Sequence, residues 1–185
     1  EAGTEYIDAG ATAIDSFDGD LTSSIATVNS DDVNTVGTYT VTYNVNDSNG
    51  NVATEVIRSV IVADTILPVI TLLGNETVTH EAGTVYTDAG ATAVDSFDGD
   101  LTSSIVTVNP VDVNTVGTYV ITYNVSDANG NAAAEVTRTV TITDTLLPVI
   151  TLLGNVGVVH EAGTEYIDAG ATAIDSFDGD LTSSI

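Results

Sequence analysis

The sequence predicts an all-β fold with one small β-sandwich per 80-residue repeat, and three observations carry that expectation. The chain repeats itself almost letter for letter. Its clearest stretches alternate apolar and polar residues with period two. No comparable helical period appears anywhere along it.

The repeat sets the organisation. EAGTEYIDAGATAIDSFDGDLTSSI opens the chain at Glu1 and returns unchanged at Glu161, while a close variant begins at Glu81. The spacing of 80 residues is too long for a solenoid turn and fits one small domain. DTILPVITLLGN at Asp64 recurs as DTLLPVITLLGN at Asp144. The proline in each string pushes the residue before it to extended backbone, which marks a linker leading into a first strand. The expected modules are therefore residues 1–64, lacking a first strand; 65–144, complete; and 145–185, the start of a third. With no initiator Met and both ends inside repeats, the chain reads as an excerpt of a longer protein.

Two stretches of the complete repeat carry the alternation. In GTYVITYNV, Tyr119, Ile121, Tyr123 and Val125 alternate with Val120, Thr122 and Asn124. In EVTRTVTIT, Val136, Val140 and Ile142 alternate with Glu135, Thr137, Thr139 and Thr141. Such a pattern places one face on a core and the other in water. Short strands between Gly/Asn/Asp turns make a sandwich. A domain this small without disulfides has a thin core and benefits from a staple such as a metal.

Composition excludes several functions. Two Arg and no Lys stand against 27 Asp plus Glu, for a net charge of −25. Nothing could neutralise phosphates, so nucleic acid is excluded as a partner. Anionic membranes are disfavoured, and no apolar run is long enough to span a bilayer. Divalent cations are favoured. With 43% apolar residues, rich in Val and Ile, the chain is expected to fold. A Cys-free, acidic, Thr/Asn/Gly-rich repeat reads as extracellular bacterial surface or secreted matrix material.

PVITLLGN, EAGTxYxDAGATAxDxxDGDLT and VGTYxxTYNVxDxNGN together resemble the bacterial immunoglobulin-like repeat family of large surface proteins. Related modules occur beside pesticidal crystal toxins and as hyalin-type repeats. The resemblance covers the whole chain. It implies tandem immunoglobulin-like sandwiches of seven strands and an adhesive or spacer role.

The acidic loops are the candidate site. DSFDGD carries Asp95, Asp98 and Asp100, and SDANGN carries Asp127, Asn129 and Asn131 around Gly130. In such a sandwich the two loops share the end that receives the linker, with Asp64. Like charges brought together repel unless a cation neutralises them. Calcium fits, since it takes six to eight hard oxygens from flexible loops and binds extracellular modules at about 10⁻⁴–10⁻³ M. The expected ligands are Asp64, Asp95, Asp98, Asp100 and Asp127 in the middle. Asp15, Asp18, Asp20 and Asp47 are their counterparts in the first module, and Asp144, Asp175, Asp178 and Asp180 in the third. The alternative is that both loops are solvated turns, since Asp-Gly and Asn-Gly are ordinary turn formers.

Other residues have plainer readings. His80 and His160, one per repeat, are expected to make local hydrogen bonds. Glu81 is either a solvated turn residue or one that reaches the next junction. Arg58 and Arg138 share the inward parity of their strands, so each should pair with a carboxylate. Tyr119 is placed to form the corner hydrogen bond of immunoglobulin-like sandwiches. No nucleophile–base pairing or phosphate loop stands out, and no enzymatic role is expected. The leading functional expectation is a stalk or filament of modules rigidified by calcium, with neighbouring modules and identical chains as partners. The alternative is an adhesin module binding carbohydrate or a cell-surface partner. Absence of Trp and only 5% aromatic residues weigh against a sugar platform.

Overall fold

Each stretch with period-two alternation becomes a strand in the computed structural model, which describes residues 1–185. In chain order the strands are β1 (Ile14–Asp15), β2 (Gly19–Asp20), β3 (Ala26–Asn29), β4 (Gly37–Asn44) and β5 (Val56–Val62). Then come β6 (Val69–Leu72), β7 (Thr77–Glu81), β8 (Ala91–Asp95), β9 (Gly99–Asp100), β10 (Val106–Val108), β11 (Gly117–Asn124) and β12 (Val136–Thr143). β13 (Val149–Leu152), β14 (Ala171–Asp175) and β15 (Gly179–Asp180) follow. Three single 3₁₀ turns, at Thr22–Ser24, Thr102–Ser104 and Thr182–Ser184, are the helical content. None is long and apolar enough to cross a membrane.

The middle repeat has seven strands in two sheets, ordered β10–β11–β12–β7 and β6–β8–β9. The all-β, immunoglobulin-like class expected from the sequence is thus what the chain adopts. β11 and β12 pair antiparallel with Tyr119 opposite Val140 and Ile121 opposite Arg138. β7 runs parallel to β12, from Thr77 opposite Thr139 to Glu81 opposite Thr143.

The chain divides into two compact units. One comprises Glu1–Val69, Ala93–Ser104 and Val125–Ala134; the other comprises Ile70–Thr92, Ile105–Asn124 and Glu135–Ile185. In the first, the β3–β4–β5 sheet buries Val41, Tyr43 and Val60, with Tyr6, Ala11, Ile25 and Tyr39 packed against them. In the second, Ile121, Tyr123, Val140 and Ile142 are fully buried. Thr118, Val120 and Asn124 on the opposite face of β11 are exposed.

Both arginines sit on inward positions, and each finds the expected carboxylate. Arg138, 1% exposed, pairs with Asp88 and donates from Nε to the Asn75 carbonyl at 2.9 Å. Its other donors meet the Tyr123 hydroxyl and the carbonyls of Leu73 and Gly90. Tyr123 in turn donates to Asp88 at 2.6 Å. A planar fork with several donors is the side chain suited to this, since a buried charge must have its hydrogen bonds met. Arg58, Asp8 and Tyr43 repeat the arrangement in the first unit. Burial pushes the Tyr43 hydroxyl up to about 12, and its bond to Asp8 adds to the shift.

Two smaller expectations are met. The Tyr119 hydroxyl donates to the Thr115 carbonyl at 2.8 Å, and Tyr39 does the same to Thr35. His80 stays local, with Nε2 against the hydroxyl and carbonyl oxygens of Thr84 and its ring edge-on to Tyr86.

Candidate metal centre

The site in the first unit begins with a loop that folds on its own carboxylate. Asp95 ends β8, and its Oδ1 accepts the N–H groups of Phe97 at 2.7 Å and Asp98 at 3.0 Å. That tightens DSFDGD into a turn, closed by Gly99 at φ +77, a conformation glycine adopts without strain. The other oxygen, Oδ2, is buried and has no hydrogen-bond partner, on a residue 3% exposed.

The loop after β11 is built by the same device. Asp127 Oδ1 accepts from the N–H groups of Asn129 at 2.9 Å and Asn131 at 2.7 Å, while Oδ2 accepts from Asn131 Nδ2 at 2.6 Å. Asp98 Oδ2 joins the two loops by accepting the Ala128 N–H at 2.9 Å. The linker joins third. Asn129 Nδ2 donates to Asp64 Oδ2 and Asn131 Nδ2 to the Asp64 carbonyl, each at 3.1 Å.

The result brings Asp64, Asp98 and Asp127 together, each offering an oxygen within 4.8 Å of the others. Burial pushes the Asp64 carboxyl above the ordinary range, and the charges of Asp95 and Asp127 push it further. Burial acts the same way on Asp127, but the Asn131 amide and the N–H groups of Asn131, Asn129 and Gly130 outweigh it and hold that carboxyl low.

The second unit holds a related group. Asp144, Asp175 and Asp178 converge within the same 4.8 Å. Asp175, 4% exposed, uses Oδ1 to accept from Phe177 and Asp178, and its Oδ2 is unpartnered. Asp144 Oδ1 is unpartnered too. Burial, then the charges of Asp175, Asp178 and Glu81, raises the Asp144 carboxyl.

In the first repeat Asp15 accepts from Phe17 and Asp18, Asp18 accepts from Ser48, and Asp47 accepts from Asn49 and Asn51. Asp100, Asp20 and Asp180 stand outside the clusters. Each accepts the N–H of the threonine two residues on, at 2.9 Å, and so starts the 3₁₀ turn. The DGD spacing explains this, since the second aspartate lies beyond the tip on the outgoing strand.

One contact was only half foreseen. Glu81 places Oε1 on the Thr145 N–H at 3.0 Å and Oε2 on its hydroxyl at 2.6 Å. Glu1 holds Thr65 identically, at 3.2 and 2.7 Å. The signal available in sequence was the constant separation of 64 residues between each Glu-Ala-Gly and the following Asp-Thr.

In the absence of divalent cations these shifts make opposite contributions to the dependence of stability on pH. Asp64 and Asp144 have raised folded values, so their contribution is full below the unfolded value of 3.8 and is lost as pH rises through the folded one. Asp8, held down to about 2 by the Tyr43 hydroxyl first and by Gly10, Tyr6 and Arg58 as well, contributes the opposite way. Its stabilisation is present above 3.8 and lost as pH falls through about 2. Melts in chelator should therefore show Asp64→Asn more stable than the parent at neutrality, with that advantage lost as the pH falls toward 3.8. A difference between parent and variant that stays constant from neutrality to that value would contradict the raised Asp64 carboxyl.

The family model described as "Bacterial surface protein, Ig-like domain" matches residues 1–62 and 70–142. An uncharacterised 81.3 kDa protein of Acholeplasma phage L2 is 32% identical over 181 residues, which cover 94% of this chain and 24% of that protein. Hyalin of Strongylocentrotus purpuratus is 33% identical over 150 residues, 75% of this chain and 12% of hyalin. The chain thus spans a quarter or less of these relatives' lengths. Among solved structures, the lipoprotein BT2262 of Bacteroides thetaiotaomicron is similar at 24% identity and a TM-score of 0.39, covering 60% of this chain and 56% of that one.

Proposed function

Since the chain belongs to the bacterial surface protein Ig-like domain family, we propose that it is a structural spacer whose inter-repeat junctions bind calcium and stiffen when they do. One observation carries the reading. At both junctions the buried loop aspartate, Asp95 or Asp175, has a carboxylate oxygen with no hydrogen-bond partner. Buried polar atoms are almost always partnered, and such an orphan beside converging carboxylates suits a cation. All available donors are hard oxygens, and the chain has no Cys for a soft metal.

Asp64, Asp95, Asp98 and Asp127 would hold the ion at the first junction, and Asp144, Asp175 and Asp178 at the second. The ion would supply positive charge, and the chain's own residues do the rest. Asp64 carries the linker, Asp98 carries the β8–β9 turn, and Asp127 carries the β11–β12 loop. Binding at such a point restrains three segments at once. In a string of such repeats the outcome is a stiff extracellular stalk, fibre or matrix element. Filament formation by identical chains is part of the same proposal.

Calorimetry of the intact chain tests this. Millimolar calcium should raise the melting temperature in proportion to the logarithm of its concentration, because it binds the folded state alone. Magnesium should substitute poorly, since it resists dehydration. Equal melting temperatures in chelator and in excess calcium would sink the proposal.

A further inference from the structure

We propose that the Glu-Ala-Gly turn of each repeat is a docking surface for the phenylalanine in the next repeat's DSFDGD loop, and that this contact orients the junction before any cation arrives. Only the cation-dependent half rests on the calcium reading above.

The turn is fixed by its own repeat. Ala2 is 6% exposed and its N–H donates to the Ala63 carbonyl at 2.8 Å, while the Gly3 N–H donates to Val33 at 2.7 Å. Ala82 and Gly83 make the same bonds to Thr143 and Val113, both at 2.8 Å. The glutamate before each pair holds the linker threonine through both carboxylate oxygens. Three consecutive residues thus secure the exit of the last strand, an internal loop and the linker.

The glycine leaves its outer face bare for a ring. A methyl group built on Gly3 would lie 3.6 Å from Phe97 Cδ2, and one on Gly83 would lie 3.5 Å from Phe177 Cδ2. Both distances are ordinary contact for that added methyl, so each ring faces the glycine of the turn across about the width of one methyl group. Both glycines also have positive φ, at +74 and +72, which side chains rarely adopt. The same phenylalanine in the first repeat is the control. Phe17 has no such turn against it and is 85% exposed, whereas Phe97 and Phe177 are half-buried. An aromatic ring partly covered by a fixed turn is a rigid, low-entropy anchor. Neither it nor the Glu–Thr pair contains a free carboxylate oxygen of the Asp64, Asp98 and Asp127 group, so the joint and the cation site are separable.

The chain has no cysteine, so paired spin labels can be placed without background on the full chain at exposed Ser59 and Ser103. Their distance distribution would be read in chelator and in excess calcium for the parent, Phe97→Ala and Phe97→Leu. In chelator the parent should give one peak at the position calcium gives. Phe97→Ala should lose that peak to a broad distribution, with circular dichroism unchanged, and Phe97→Leu should keep most of it. Calcium should restore the peak to Phe97→Ala. A parent distribution in chelator as broad as that of Phe97→Ala would overturn the joint. Persistence of the parent peak with no response of Phe97→Ala to calcium would leave the joint standing and refute the cation reading.

Discussion

Replacing Arg138 by Met is expected to destabilise the middle repeat by about 3–5 kcal/mol, the cost of removing one partner from a buried ion pair. Small domains have about 5–15 kcal/mol of stability in total, so such a loss leaves the repeat near its unfolding threshold. The geometry shows why. Arg138 alone closes β12 onto Asp88, the Tyr123 hydroxyl and three backbone carbonyls. Met fills comparable volume but leaves those carbonyls without that donor and the Asp88 carboxylate without its counter-charge, although Tyr123, Tyr86 and the Gly90 N–H still donate to Asp88. Adding Asp88→Asn should recover part of the loss, since the stranded charge goes with it. Arg58→Met should cost less, because that side chain is already 36% exposed. Urea melts check the ranking, and an Arg138→Met midpoint equal to the parent's would show that the network is dispensable.

The second large effect is expected from Asp98→Asn with Asp127→Asn, which should abolish most of the calcium-induced rise in melting temperature at the first junction. Asp98 and Asp127 belong to the converging group, and both tie loop backbones as well. Asn keeps the side chain's shape and much of its hydrogen bonding while removing the charge, so the chain should still fold. Asp100→Asn should leave the calcium response almost intact, because Asp100 serves its 3₁₀ turn instead. Titration calorimetry at fixed pH distinguishes the two, and equal calcium responses would mean that the cluster is not the binding point.

The fold was legible because it is written in local pattern. Ile121, Tyr123, Val140 and Ile142 show their burial through alternation alone, and Arg138 shows its oddity by sharing their parity. Asp98 and Asp127 were legible as loop residues, and topology predicted which end of the sandwich they share. The rest depended on pairings that no local pattern encodes. β7 reads as an unremarkable TVTHE, and only its parallel register with β12 makes it a strand. Asp100 is indistinguishable from Asp98 in a list of acids, yet two residues move it past the turn. Asn129 and Asn131 look like turn formers, and they are, but their side-chain amides also reach Asp64 across more than sixty residues.

The pairing of both arginines has a further consequence for survival outside a cell. A protease that cleaves after basic residues finds two possible sites in this whole chain, since it contains no lysine. Both lie inside long strands, at Arg58 and Arg138. Each side chain is engaged by an aspartate, and the second is sealed from solvent. Digestion by such an enzyme must wait for a repeat to unfold, so one interaction serves at once as packing and as armour.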